Sequence, residues 1–307
     1  MLATIPLLSV QSKSDLTLTV HDDRGEVEIR LGSKPLMIYA FGPSQLKPYV
    51  RELYTLGGEN VLRDAPPDHL HHHGLMYAIR INGVNFWEEK DAPGIQKPAK
   101  LLSHSVGKSV GGLPQGKFTQ LIHWLAHTNR DAANSKAVAL LIEERTLTLI
   151  VDERNGEVAL GWDATFKVGP AGKVTLHGTD YNGLGLRLPE SFDHLAVFQN
   201  SEKSPYVGPD SRDNIPAKWT GVTGKVPKGE ITVALFGRPT NPGGIPVFFT
   251  LLEPFAYLAA TQGLNRKPLE YEAGDEYRLS YLLTVFNEPK PAEVLTRRYE
   301  SWSRNRN

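Results

Sequence analysis

Residues 66–74, Pro66-Pro67-Asp68-His69-Leu70-His71-His72-His73-Gly74, place four of the chain's ten histidines within five positions. Imidazole titrates nearest neutrality, so such a group can exchange a proton, hold a metal through nitrogen, or donate a hydrogen bond to a hydroxyl. His69, His71 and His73 are two residues apart. In an extended segment they would project to one side and could share a divalent metal. His71 and His72 are the expected proton acceptors or metal ligands, with His69 as a substrate contact. The plain alternative is a loop in which one histidine caps a strand and the others are solvated.

A second polar group, His177, Asp180, Tyr181, Asn182 and Arg187, is interleaved with Gly178, Gly183 and Gly185. Glycines in a strand mark a bend or a close approach, and an arginine there can clamp a carboxylate or polarise a hydroxyl. His177 and Arg187 are therefore candidate catalytic groups, and Asp180 and Asn182 candidate substrate contacts; the alternative is an ordinary turn with a surface arginine. Lys218-Trp219 and Arg238-Pro239-Thr240-Asn241-Pro242 set an aromatic ring beside polar groups. Proteins grip a sugar in that way, by its apolar C–H face and hydroxyl rim. Lys218, Trp219 and Asn241 are the expected contacts, although Trp219 could equally pack a rim. His123 and His127, four apart in a strand, read as core or surface. Glu143 and Glu144 are adjacent, so a strand sends them to opposite faces and they form no hydrolytic pair.

The elements around these residues read as strands. Leu75, Tyr77, Ile79 and Ile81 alternate up to Asn82-Gly83, so the histidine loop feeds a half-buried strand. Alternation also marks residues 16–20, 26–31, 36–41, 118–127, 137–151, 157–166, 231–236, 246–252, 255–260 and 276–285. Asn155-Gly156 is a hairpin turn signal. Within residues 137–151, Glu143, Arg145, Leu147 and Leu149 share a face. Residues 44–68, 89–116 and 189–230 read as connections, the last with turns at Gly208-Pro209-Asp210 and Gly221. Pro291 opens one helical stretch, residues 292–302. A dozen strands with one helix imply a large antiparallel sandwich: one domain over residues 12–288, with residues 289–307 as a helix and tail packed on it.

Bulk composition narrows the function. Thirty-four basic residues balance 34 acidic ones, which argues against nucleic acid. The absence of cysteine removes disulfides and thiolate sites. No window approaches the roughly 20 apolar residues of a membrane helix. Residues 1–8 read at most as a weak or trimmed export signal, so periplasm, exterior and cytoplasm all stay open, as does the oligomeric state.

Several stretches carry a resemblance. Residues 68–74, Asn82-Gly83-Val84-Asn85-Phe86-Trp87, Gly183-Leu184-Gly185-Leu186-Arg187, Ala217-Lys218-Trp219, Asn241-Pro242 and Tyr277-Arg278-Leu279 resemble, in order, a bacterial family of unknown function. That family is filed as "methane oxygenase PmoA", a label that fits neither the missing membrane helix nor the missing copper-oxygenase signature. Its usual form has Arg where this chain has His73. Its members accompany sugar-degrading genes, which implies carbohydrate work. In the C-terminal third, Ala260-Thr261-Gln262-Gly263-Leu264-Asn265 and Glu272-Ala273-Gly274-Asp275-Glu276-Tyr277-Arg278 are similar to the end of aldose 1-epimerases (galactose mutarotases). Residues 177–184 are loosely similar to their catalytic-histidine segment. This resemblance implies a galactose-mutarotase-like β-supersandwich whose concave sheet cradles a sugar. It departs at Ala260, where those enzymes carry their glutamate base; Glu253 or Glu272 is a possible substitute.

These readings converge on a small-molecule carbohydrate as partner. The expected protein is a carbohydrate-active enzyme of the epimerase, lyase or hydrolase class, using the histidine cluster and an opposing Arg187. The alternatives are a non-catalytic carbohydrate-binding protein on the same scaffold and, last, an oligomerising module built on the C-terminal helix.

Overall fold

The computed structural model describes residues 15–126, 138–202 and 212–304. The export-signal reading, His127 and the turn at Gly208-Pro209-Asp210 lie outside the described residues.

The first third carries β1 (Leu16–His21), β2 (Glu26–Leu31), β3 (Lys34–Ala40), β4 (Tyr49–Leu53), β5 (Leu75–Ala78), β6 (Arg80–Ile81), β7 (Val84–Asn85) and β8 (Ile95–Lys108). The middle carries β9 (Pro114–Leu125), β10 (Ala139–Asp152), β11 (Glu157–Val168), β12 (Val174–His177), β13 (Gly183–Arg187) and β14 (Val197–Asn200). Then follow β15 (Arg212–Pro216), β16 (Trp219–Val226), β17 (Gly229–Gly237), β18 (Val247–Leu251), β19 (Tyr257–Thr261), β20 (Leu269–Tyr271), β21 (Glu276–Phe286) and the helix α1 (Ala292–Arg304).

The expected all-β supersandwich is what these strands build. A nine-stranded sheet, β1-β2-β3-β4-β5-β13-β19-β18-β15, faces an eight-stranded one, β14-β16-β17-β21-β11-β10-β9-β8. The four-stranded sheet β20-β12-β6-β7 flanks them. All pairings described are antiparallel, and period-two alternation decides which side chains enter the interior. Tyr77 on β5 meets Trp124 on β9 and Phe166 on β11, with ring centroids 5.8 and 5.7 Å apart. Leu184 pairs with Tyr77 and Ala260, so these three point inward. Gly183, Gly185 and Arg187 therefore face outward, on the side that carries the candidate site.

The shared face of Glu143, Arg145, Leu147 and Leu149 is the core face, and all four are fully buried there. The connections hold more strand than the pattern predicts: β4 lies within residues 44–68, β8 within 89–116, and β14, β15 and β16 within 189–230. β8 is an edge strand whose side chains are mostly exposed, so no alternation betrays it. Helix α1 lies on the outer face of the eight-stranded sheet. There Leu295 and Tyr299 join Trp219, Phe236, Leu282 and Phe286 in a second apolar cluster. Burying each such side chain stabilises by roughly 1.5–3 kcal/mol. Among the described residues no helix is long and apolar enough to cross a membrane.

Candidate functional site

The histidine loop crosses the outer face of the nine-stranded sheet. It is turned rather than extended: the His69 amide donates to the Pro66 carbonyl and the His72 amide to the His69 carbonyl, each at 2.9 Å. Gly74 closes the loop with φ +24°, and a side chain there would collide with the Val50 carbonyl. The turns gather His69, His71 and His72 on one side. Ring centroids are 4.5 Å apart for His69–His72, 4.6 Å for His71–His72 and 5.7 Å for His69–His71.

His73 goes the other way. It stacks on Tyr49 and bonds Asp64 at 3.0 Å and Glu89 at 3.2 Å. Burial lowers its pKa, but those two carboxylates reverse this and raise it overall. The shared-metal reading of His69, His71 and His73 is thus corrected, because it required an extended segment. Among the described residues, no three His, Asp or Glu side chains form a group that could hold a metal ion.

The three gathered imidazoles line a cavity of about 280 Å³. Its other walls include Trp87, Tyr181, Phe249, Phe255 and Tyr257, with Glu88 and Lys90 as the charged groups. Tyr257 lies across Gly185, where a Cβ would collide with its hydroxyl. Two buried donors of lining residues have no protein partner, Trp87 Nε1 and the Tyr257 hydroxyl, and behind the Phe255 wall Arg187 Nε is a third. Buried polar groups are otherwise almost always satisfied, so their clustering marks a place for polar ligand atoms or water.

Electrostatics sort the histidines. Arg187 Nη2 donates to Asp68 Oδ2 at 2.9 Å, and the same oxygen accepts from His69 Nδ1 at 3.0 Å. Partial burial raises the Asp68 carboxyl, but these bonds outweigh it and hold the pKa at about 2. A carboxylate only accepts, so His69 must carry its proton on Nδ1, leaving Nε2 as the basic nitrogen. Arg187 Nη1 stands 3.4 Å from His72 Nδ1. A guanidinium only donates, so neutral His72 carries its proton on Nε2. Burial, then His71, His69 and Arg187, push the His72 pKa down to about 2. Burial, then Lys47 and His69, push His71 down to about 4. Both are neutral near pH 7, able to donate one hydrogen bond and accept another. The Arg187 guanidinium is also covered by the Phe255 ring, 3.6 Å from its centroid. It braces the histidine loop instead of facing it across the cavity.

The remaining sequence candidates are dispersed. His177 ends β12 in the small sheet, paired with Arg80, and is not among the lining residues. Asn182 is buried and accepts from the Thr179 amide at 2.9 Å, which shapes the turn; Asp180 lies in that turn, outside the lining. Lys218 is exposed, and Trp219 is buried beneath α1 on the opposite sheet. Asn241 bonds the Ser280 backbone at 2.8 and 3.1 Å, also on that sheet. Neither Glu253 nor Glu272 lines the cavity. Ala260 points into the core, so its missing carboxylate takes nothing from the cavity. Sequence reasoning passed over Asp68, Glu88 and Tyr257. The signal for Asp68 was present, a carboxylate directly preceding a histidine; Tyr257 had only an alternating strand to mark it.

A family of unknown function, DUF6807, matches residues 26–300. No curated protein matches the chain. Among solved structures, the α-galactosidase AgaB of family GH36 from Geobacillus stearothermophilus is similar with a TM-score of 0.51 and 10% identity, over 87% of this chain and 40% of that enzyme. A putative aldose 1-epimerase from Klebsiella pneumoniae subsp. pneumoniae gives a TM-score of 0.45 and 10% identity, over 94% and 87% of the two chains. A galactose mutarotase related enzyme from Lactobacillus acidophilus gives 0.37 and 9%, over 90% and 100%. The chain thus spans about 40% of the length of the galactosidase it matches.

Proposed function

The chain belongs to the family of unknown function DUF6807, and we propose that it is a carbohydrate-active protein that exchanges a proton with a sugar bound in the histidine cavity. The observation that carries this reading is the Asp68–His69 dyad. Asp68, pinned by Arg187, fixes the His69 ring with Nδ1 protonated, and no described protein group takes up Nε2. A base oriented by a carboxylate is the arrangement that general base catalysis asks for. In the proposed step a substrate C–H bond beside a carbonyl breaks. Its proton goes to His69 Nε2, and its electron pair moves to the carbonyl oxygen as an enolate. Asp68 stabilises the imidazolium so formed. Lys90, the one lysine or arginine among the described lining residues, would stabilise the enolate oxygen. Reprotonation on the other face gives epimerisation, and loss of a β-substituent gives elimination.

The walls support a sugar in particular. Aromatic rings suit its C–H faces, and neutral His71 and His72 with the unpartnered Trp87 and Tyr257 donors suit its hydroxyls. Glu88 is the one carboxylate among the described lining residues, where glycoside hydrolysis calls for two. The fold shared with part of a galactosidase is compatible with this reading, but a fold alone names no reaction. Binding without chemistry is the second reading; it draws on His71 and His72, which stay neutral and can hold hydroxyls without transferring protons.

Proton NMR in deuterated buffer with a panel of aldoses, ketoses and uronates separates the two. The proposal expects at least one sugar to exchange a carbon-bound proton, with His69→Ala slowing exchange about a hundredfold or more while the sugar still binds. Binding without exchange leaves the second reading. Exchange that survives in His69→Ala, or no sugar bound at the cavity, removes the dyad proposal.

A further inference from the structure

The Arg238–Asn241 loop and Arg278, two stretches singled out in the sequence, have no part in the histidine cavity. They meet on the opposite outer face of the sandwich, at a cleft of about 880 Å³. Its floor is the outer surface of β9, β10, β11 and β21. In register across these strands, Thr146 stands opposite Asp163 and Asp163 opposite Ser280, while Thr165 stands opposite Arg278. Helix α1 covers the neighbouring part of this face and supplies one wall through Tyr299 and Ser303.

We propose that this cleft is a second saccharide site, built for an acidic oligosaccharide and independent of the histidine cavity. Three observations carry it. First, the floor is hydroxyl-rich where a sheet's second face is usually charged or covered: Thr146, Thr148, Thr165 and Ser280 line it together. Hydroxyls both donate and accept, which matches a sugar's own hydroxyls. Second, the exposed Lys117 and Arg278, with Arg238 at the rim, outnumber the one carboxylate among the described lining residues, Asp163, although the chain as a whole has no net charge. A guanidinium and an ammonium are the groups that hold a carboxylate or sulfate on a sugar ring.

Third, the rim is preorganised. Arg238 donates to the carbonyls of Ser303 and Trp302 at 3.0 and 3.1 Å and lies over the Trp302 ring. Asn241 clasps the Ser280 backbone, and Ser280 Oγ donates to Asp163 at 2.6 Å. Loop, helix end and floor are thus held before any ligand arrives. The volume lies within the range of small-molecule pockets and exceeds that of the histidine cavity, so several sugar units fit.

Isothermal titration of the full chain with a galacturonate tetrasaccharide tests this, with maltotetraose and inorganic sulfate as controls. The expected result is binding of the acidic tetrasaccharide in preference to both controls. Lys117→Ala and Arg278→Ala, both at exposed positions, should each weaken it about tenfold, as loss of a charge-assisted hydrogen bond does, with unchanged melting temperatures. Gly185→Ala, whose methyl fills the histidine cavity at Tyr257, should leave it unchanged. No binding by the acidic tetrasaccharide, equal binding by Arg278→Ala, sulfate binding as tight as the saccharide, or loss of binding in folded Gly185→Ala each overturns the proposal. None of these outcomes bears on proton exchange at His69.

Discussion

Two buried arginines separate a closed core network from an open one beside a cavity in this molecule. Arg145, between the sheets, has every N–H answered. Nε and Nη2 hold Glu143 at 2.7 and 2.9 Å, Nη2 also reaches Gln96, and Nη1 reaches Pro48 O at 2.8 Å and the Tyr39 hydroxyl at 3.4 Å. Trp124 Nε1 completes the Glu143 carboxylate at 2.8 Å. Arg187 is as deeply buried, yet its Nε is unanswered and its other contacts go to a half-exposed Asp68 and to His72. A closed polar network of the first kind fixes how two sheets face each other. An open one beside a cavity keeps polar capacity for something that comes and goes.

The comparison breaks most visibly at Glu143. Glu143→Ala leaves a guanidinium uncompensated in the core, and loss of about 3–5 kcal/mol is expected by denaturant unfolding. If this variant unfolds like the parent, Arg145 is not held as the geometry states. Gly185→Ala comes next. The new methyl collides with the Tyr257 hydroxyl and crowds Trp87, so about 1–3 kcal/mol should be lost together with sugar binding at the cavity. Arg187→Met should cost less than Glu143→Ala, about 1–2 kcal/mol, because the Asp68 it frees already meets water. Its larger signature is in the site, where proton exchange at His69 should fall while the melting temperature moves little.

The pH effect builds gradually, unit by unit. His72 titrates ordinarily at 6.5 and is held at about 2 in the fold, so below pH 6.5 the unfolded chain takes up a proton that the folded chain refuses. Stability is therefore highest above pH 6.5 and falls as pH drops toward 2, by at most about 1.4 kcal/mol per unit from this group. His72→Gln, which cannot titrate, should flatten the slope between pH 6.5 and 4 in melting curves. An unchanged slope would mean that His72 is protonated in the fold.

How far the sequence reveals this depends on the kind of information involved. Alternation is local, so the strand carrying Glu143 and Arg145 and their common face were legible; that this face is the interior was not, since polar residues normally read as outward. The histidine loop announced itself by residue type. Its turned backbone, which sends His73 to Asp64 and Glu89 and leaves Asp68 to orient His69, depends on Arg187 more than a hundred residues away. Trp219 has the composition of a sugar platform, but only the packing of α1 decides that it is buried under a helix. β8 escaped because an exposed edge strand has no apolar face to alternate.

Arg187 and Asp68 divide the histidines, and nitrogen-15 NMR of the imidazole rings at pH 7 reads that division directly. The geometry predicts neutral His72 with its proton on Nε2, and a His69 Nδ1 that carries a proton toward Asp68, its Nε2 signal shifting when sugar binds. A His69 ring protonated on Nε2 alone, or a His72 imidazolium, would contradict it.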